Sequence, residues 1–504
     1  MPPPRLTDAQ ERWKIGALKG DAPTLDALLD EAREADESSW VTTLAYARAM
    51  LGGATLAPPP RPRDDDPAAP VIAALRVRAG LLALDVTELA EASRLAARVA
   101  DREPLLGAAS RAWAGLALGE DPRAVRDTAL DVQERAKREK HGGLLVDATA
   151  LEAMTYLADG EADEHAVSRA RLGSRMAASE GLAPITVLAH LVLARARRLS
   201  GHPYLGSHIA RSVAQYLGAG LRRWSDWESV LGAGDASAVE EGSSCALVGL
   251  LRAFEACDRA ALGDRRAELE VTELPRFARR DADVLLELAD HLAPAVHAAG
   301  WLDGTDDAVP AGLGVGPGHA YPGYVVARPG GVARRVLAVG VALARAELDA
   351  VVVQPPTPQH RTDSAIAALL LHGDAGVDVS VLFERLYGFP LAARHRSVLR
   401  VLLHRVRARV GELELERDAD RVRLRYEAAV LFPDPRCSRS DASVLALAAQ
   451  RGAISTRDLE GMGMPLRRAQ ESLRRLAEDG LMRAQASERG MAYRLEDTCF
   501  TNPA

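Results

Sequence analysis

Lysine is almost missing from this chain. It occurs at Lys14, Lys19, Lys137 and Lys140, and every other basic group except histidine is arginine. Beyond residue 140 no lysine can serve a Walker phosphate loop, a pyridoxal Schiff base or an amine nucleophile. Cysteine is nearly as scarce. Cys245, Cys257, Cys437 and Cys499 sit on separate segments with no CxxC spacing, which argues against both a zinc site and a disulfide framework and reads as reduced cytosolic thiols. Aromatic residues make up only 4% of the chain, too few for a β-sandwich core. No stretch reaches the ~18 apolar residues that a membrane span needs. The opening residues, MPPPRLTDAQERWK, lack an apolar signal region. The expectation is a cytoplasmic protein with no membrane partner.

Catalytic patterns are missing too. HExxH, GxSxG, Walker A and EF-hand spacings do not occur, and the histidines are scattered. Asp64-Asp65-Asp66 is a cluster that a cation would accept, but among prolines it reads as a solubilising charge run. No catalytic residue, metal or cofactor is expected, and no enzymatic activity.

What the chain does have is length and aliphatic bulk. It contains 504 residues, 48% of them hydrophobic, enough for two or three domains. Abundant Ala, Leu and Arg favour helix packed on helix. The formal charge is −7, yet residues 361–504 hold 23 Arg against 20 Asp and Glu. An acidic body with a mildly basic end suits a nucleic-acid-binding part attached to something else.

Residues 1–56 read as a helical segment, with Asp21 capping an apolar-periodic stretch. Residues 57–70, rich in Pro and Asp, read as a stiff linker. From 71 to 300 the pattern is helical and repeats. Gly119, Gly160 and Gly201 lie 41 residues apart, each closing an apolar helix and each followed by an amphipathic one that ends near Gly142, Gly181 and Gly218 or Gly220. Glycine supplies the left-handed backbone that terminates a helix. A helical hairpin recurring at ~40 residues reads as an α-solenoid. It resembles the tetratricopeptide-like repeats of bacterial regulators, although the period is longer than theirs and their consensus is not evident. An irregular helical bundle is the alternative. Residues 301–362 change character: a Gly-rich loop around Gly314, Gly316 and Gly318, then a β-hairpin turning at Pro329-Gly330-Gly331. No strand precedes that loop, so it reads as a plain loop rather than a nucleotide fingerprint.

Residues 433–504 carry the clearest pattern. SDASVLALAAQRG (440–452) is a helix capped by Ser440 or Asp441 and stopped by Gly452. STRDLEGMG (455–463) is a short Ser-capped helix, and MPLRRAQESLRRLAEDG (464–480) is a third ended by Gly480. LMRAQASERGMAYRLED (481–497) is a strand–turn–strand. This order resembles the winged helix-turn-helix family of bacterial regulators over about 58 residues. On the third helix Leu466, Ala469, Leu473, Leu476 and Ala477 share one face, while Arg467, Arg468, Glu471, Arg474 and Arg475 lie on the other. The resemblance implies a recognition helix, with those arginines on DNA and Arg489 at the wing tip on a phosphate or in the minor groove.

Residues 363–432 resemble the response-regulator type of winged helix. Two helices precede a long third one, LAARHRSVLRVLLHRVRARVG (391–411), and a hairpin follows around Asp418-Ala419-Asp420. On the third helix Leu399, Leu402, Leu403, Val406 and Val410 form a core face. Arg396, Arg400, His404 and Arg407 form a basic stripe, with Arg394, Arg405 and Arg409 on the opposite flank. The hairpin is acidic at Glu412, Glu414 and Glu416, which weighs against its touching DNA. The N-terminal sheet of that family is not evident, though the strands of 321–353 are placed to supply it.

The sequence thus predicts a mainly α protein: an α-solenoid, a small β-containing insert (301–362) and two tandem C-terminal winged helix-turn-helix modules. The function it implies is a sequence-specific, double-stranded-DNA-binding transcriptional regulator whose repeats sense a protein or small ligand. A homodimer is compatible with it. The alternative is a non-enzymatic adaptor whose winged helices dock on proteins.

Overall fold

A computed structural model describes residues 6–52, 61–283, the strand segments 324–327, 334–336 and 351–353, and residues 360–433 and 442–496. Shorter gaps within these fall at 64, 159–163, 201, 219, 234–238, 240–244, 250–258, 388, 411–412, 428, 479 and 488–489. The described chain is mainly helical, with small sheets. Among the described residues no helix is long and apolar enough to cross a membrane.

The helical body opens with α1 (Asp8–Lys19), α2 (Ala22–Glu34) and α3 (Ser38–Met50). Thr7 and Gln10 form a capping box on α1, and Asp21 accepts from the Thr24 N–H at the start of α2. Each satisfies donors that a helix N-terminus leaves open. Trp13 and Trp40, fully buried, bring α1 and α3 together with ring centroids 6.2 Å apart.

Helical hairpins follow: α4 (Ala69–Leu82) with α5 (Val86–Arg98), α6 (Pro104–Leu118) with α7 (Pro122–Arg138), α8 (Gly142–Ala158) with α9 (Glu164–Glu180), and α10 (Val187–Leu199) with α11 (Pro203–Ala214). Then come α12 (Arg223–Ala233) and α13 (Arg259–Val271). The first helix of each pair packs on the first helix of the next, and α12 returns to touch α4. Every residue of α4 is buried, and so are nearly all of α10. The outer helices α5 and α7 bury only one stripe, such as Leu89, Ala92, Leu95 and Ala96 on α5. A helix apolar all round belongs inside and an amphipathic one outside.

Gly119 ends α6 with φ +108°, and Gly181 follows α9 with φ +86°. Gly160 and Gly201 lie outside the described residues. Gly142 begins α8 instead of ending α7; Lys140, at φ +60°, makes that turn. The α4–α5 turn uses Leu84 at φ +52°, so no glycine marks that first hairpin.

The described residues of 6–52 and of 71–283 share one core. The Gly218 N–H donates to the Met50 carbonyl at 3.1 Å. Asp66, read from sequence as part of a solvated run, accepts both from the Ser39 hydroxyl at 2.5 Å and from the Ala68 N–H at 2.8 Å. Arg102 donates to its carbonyl at 2.7 Å. The end of the proline-rich segment is therefore stitched to α3 and to the turn before α6, and only Asp65 of the described pair is exposed.

Arginines close the ends of the inner helices. Arg223 donates to the Ala83 carbonyl at 3.5 Å, Arg276 to Gly119 at 2.8 Å and Arg280 to Ala158 at 2.9 Å. These carbonyls end α4, α6 and α8, where the helix dipole is negative. Residues 276–283 are helical and lie across the ends of α6 and α8. Asp281 of that segment pairs with Arg195 at 2.7 Å and Arg198 at 2.8 Å of α10, and both arginines also bind Glu228 of α12. Buried beside two guanidinium groups, the Asp281 carboxyl is lowered to about 2, against the opposing effect of its own desolvation.

The second core contains strands β1 (Tyr324–Ala327), β2 (Arg334–Val336) and β3 (Val351–Val353), helices α14 (His360–His372), α15 (Val379–Tyr387) and α16 (Arg396–Val410), and strands β4 (Val377–Asp378), β5 (Glu414–Asp418), β6 (Arg421–Arg425) and β7 (Ala429–Pro433). The predicted hairpin is present, with Val325 opposite Arg335. One sheet has the order β2-β1-β7-β3, and β7 runs antiparallel to β1 and parallel to β3. A second sheet has the order β4-β6-β5. Val325, Ala327, Val430 and Phe432 share a core with α14, α15 and α16. The strands of the 301–362 segment thus belong with the helices that follow them.

The last elements are α17 (Ala442–Arg451), α18 (Thr456–Gly461), α19 (Leu466–Glu478), β8 (Met482–Ser487) and β9 (Gly490–Leu495). β8 and β9 pair antiparallel, and Ile454 bridges Tyr493 at the hairpin's edge. Here α17 packs on α11, Glu496 pairs with Arg175, and Leu445 and Leu473 join the core of the helical body.

Candidate nucleic-acid interface

Helices α16 and α19 each present several arginines to solvent. In α16 the predicted core face is the observed one: Leu399, Leu402, Leu403, Val406 and Val410 are all buried. Arg396, Arg400, His404 and Arg407 are all exposed. Along a helix rising 1.5 Å per residue they span about 16 Å, a length that crosses a major groove. The stripe, however, lies on a flank of the exposed surface. The outermost row, at i, i+4, i+7 and i+11, is Ser397, Val401, His404 and Ala408. Val398 and Val401 are 41% and 49% exposed. Arg405 lies exposed on the far side of that row, whereas Arg409 is half-buried and faces Asp363 at 3.4 Å. Arg394 precedes the helix and donates to the His395 ring at 3.1 Å.

The approach to α16 is fixed by aromatic packing. Phe383 of α15 stacks on Tyr387 at 4.4 Å and on His395 at 5.6 Å, and Phe389 meets His395 edge-on at 4.9 Å. Arg361 caps the stack over Tyr387 at 4.6 Å. Such contacts exceed simple area burial, and they set the angle between α15 and α16.

The hairpin beside α16 carries less free negative charge than the sequence suggests. Glu416 accepts from Arg423 at 2.7 Å and from Arg425 at 2.8 Å on the facing strand. The Arg423 bond holds its carboxyl below the usual range. Glu414 is exposed, and Glu412 lies outside the described residues.

In α19 the buried residues are Ala469, Ser472, Leu473 and Leu476. Leu466, assigned from sequence to this face, is 47% exposed because it opens the helix, and Ala477 is half-buried. Arg467, Arg468, Arg474 and Arg475 are all exposed, in two rows of i and i+7 about 10 Å long. Gln470, passed over in the sequence, is exposed between them; a glutamine amide can pair with adenine. Glu471 and Glu478 interrupt the positive surface, and Glu478 pairs with Arg474 at 3.5 Å. Arg489 lies outside the described residues, as does the glycine run at 314–318.

The three-helix arrangement around α19 is locally determined. Asp458 accepts from both the Ser455 N–H and its hydroxyl at 2.7 Å, closing a capping box on α18. Gly452, Gly463 and Gly480, with φ between +66° and +85°, end α17, α18 and α19. Ser440 and Asp441 lie outside the described residues.

Among the described residues of α16, α19 and their hairpins no serine or cysteine hydrogen-bonds to a histidine. Burial pushes the Cys245 thiol up to about 12, so it stays protonated at neutral pH. What the exposed arginines can do is neutralise anions without transferring protons. Comparison with protein-family models, curated proteins and solved structures gives no match to this chain.

Proposed function

We propose that this protein is a bacterial transcriptional regulator that binds double-stranded DNA through two winged helix-turn-helix modules, residues 324–433 and 442–495. The observation that carries the reading is the pair α16 and α19. α16 packs on α14 and β5, α19 packs on α18 and β8, and each turns arginines outward. Flanking arginines would hold phosphates while the outermost row meets base edges. In this reading the helical body is an α-solenoid that senses a protein or small ligand. Its packing against α17 gives it a physical route to the second module. An open concave channel is not the route, since α4 is buried on every side.

The acidic interruptions in α19 favour a second reading, in which the modules dock on proteins. Fluorescence anisotropy of the full chain on labelled duplex DNA separates the two. The regulator reading expects binding that falls steeply with salt as condensed counterions are released. It also expects loss of that binding when Arg467, Arg468, Arg474 and Arg475 are replaced together by Ala. Absence of binding at low salt would favour the adaptor.

A further inference from the structure

Helix α19 turns a mixed row of charges outward. Its buried residues, Ala469, Ser472, Leu473 and Leu476, define the face packed on the module. At about 100° per residue, the side chains within about 30° of the opposite direction are Arg467, Glu471, Arg474 and Glu478, at i, i+4, i+7 and i+11. All four are exposed. Arg468 and Arg475 stand on one flank of this row and Gln470 on the other. The matching row of α16, Ser397, Val401, His404 and Ala408, holds no carboxylate.

Helix stability does not account for this row. Arg467 and Arg468 fall in the first turn, where the helix dipole is positive, and Glu478 in the last, where it is negative. Arg467 precedes Glu471 by four residues, the weaker of the two orders for such a pair. Arg474 pairs with Glu478 at 3.5 Å, and among the described residues no ion pair reaches Glu471. The Glu471 carboxylate therefore meets any molecule that approaches the outer face.

Facing DNA, a carboxylate is repelled by the phosphates and gains only where a base edge donates. In the major groove cytosine presents its N4 amino group alone, adenine sets its amino group beside the N7 acceptor, and guanine and thymine present acceptors. Cytosine is therefore the base that a groove-facing glutamate suits best. Arg467, about 6 Å away along the helix, is within about two base steps of ~3.4 Å and matches the O6 and N7 acceptors of guanine. We propose that Glu471 makes α19 select cytosine, beside a guanine read by Arg467, so that the second module prefers C·G pairs to A·T pairs there. The proposal rests on the DNA-binding reading. Within it, the acidic residue of the outer row becomes the discriminating contact.

The test uses the full chain, with its preferred duplex selected from a random library and affinities read by fluorescence anisotropy. Replacing the contacted C·G pair by T·A should weaken wild-type binding on the order of tenfold. Glu471→Ala should lose that discrimination at this position alone. It should also bind unselected duplex more tightly, since a negative charge leaves the phosphate-facing surface. Glu471→Gln should move the preference there toward adenine, whose N6 and N7 a glutamine amide matches. Thermal melts check that both variants fold. Selection of the same bases by wild type and Glu471→Ala at every position overturns the role of Glu471 while leaving DNA binding in place. A wild type that binds DNA without preferring cytosine at any position does the same. No DNA binding by the wild type at low salt overturns the DNA-binding reading itself, and this proposal with it.

Discussion

The Arg78 guanidinium and the Asp147 carboxylate meet at 2.5 Å with neither side chain reaching solvent. Arg78 belongs to α4 and Asp147 to α8, and the same guanidinium donates to the Ala74 carbonyl at 2.7 Å and to the Ser110 hydroxyl of α6 at 3.4 Å. One side chain therefore joins three inner helices. Removing one partner of a buried pair strands the other charge, at about 3–5 kcal/mol, whereas replacing both by apolar groups is often neutral. Urea unfolding of Asp147→Asn or Arg78→Met is expected to show a loss of that size, and Arg78→Met/Asp147→Leu to recover most of it. Single variants as stable as the wild type would mean the charges contribute nothing to the packing.

His190 of α10 is wholly buried, its Nδ1 2.8 Å from the Ser174 hydroxyl. Burial lowers its pKa from 6.5 to about 3. Between those values the unfolded chain takes up a proton that the folded chain refuses. Stability is therefore complete above pH 6.5 and falls as the pH drops toward 3, by up to about 1.4 kcal/mol per pH unit. His208, half-buried on α11 and lowered to about 4, adds in the same direction over the upper part of that window. His190→Gln should flatten the slope of unfolding free energy between pH 6.5 and 4.5 by nearly one proton. An unchanged slope would show that the group titrates alike in both states.

Arg276 and Arg280 fasten residues 276–283 across the ends of α6 and α8. Both side chains are exposed, so each bond with a helix C-terminus is worth about 0.5–1 kcal/mol. Replacing both by Ala should cost about 1–2 kcal/mol locally. Hydrogen exchange should rise in 276–283 before the inner helices change. Equal protection in variant and wild type would place the fastening elsewhere, with Asp281.

The sequence was legible where one residue decides one turn. Gly452, Ser455 and Gly480 mark the bounds of α17, α18 and α19 because a left-handed backbone or a capped N-terminus needs particular side chains. The core face of α16 followed from spacing alone. What stayed hidden depends on distant partners. Asp66 looks like its neighbour Asp65 until Ser39 is placed beside it. Arg78, Arg195 and Arg198 sit in apolar helices and acquire meaning only from Asp147, Glu228 and Asp281. The Leu84 turn carries no glycine. On α16 charge drew attention to Arg396, Arg400 and Arg407, whereas the outermost row is set by the orientation of the packed helix.

That row bears on the proposed DNA contact. Val401, 49% exposed, lies at the centre of the outward face of α16, with Val398 beside it, and arginines stand on both flanks. A valine cannot exchange hydrogen bonds with a base edge, but it can cover the 5-methyl group of thymine in the major groove. Burying one such methyl is worth about 0.8 kcal/mol, close to a fourfold change in affinity. On a selected high-affinity duplex, replacing thymine by uracil at the contacted position should weaken binding by about that factor. Val401→Ser should remove the difference between the two duplexes while leaving the salt dependence unchanged, because the flanking arginines still meet the phosphates. If full-length protein binds thymine and uracil duplexes equally at every position of the site, Val401 faces solvent in the complex. Base selection by α16 would then have to come from His404 and the arginines.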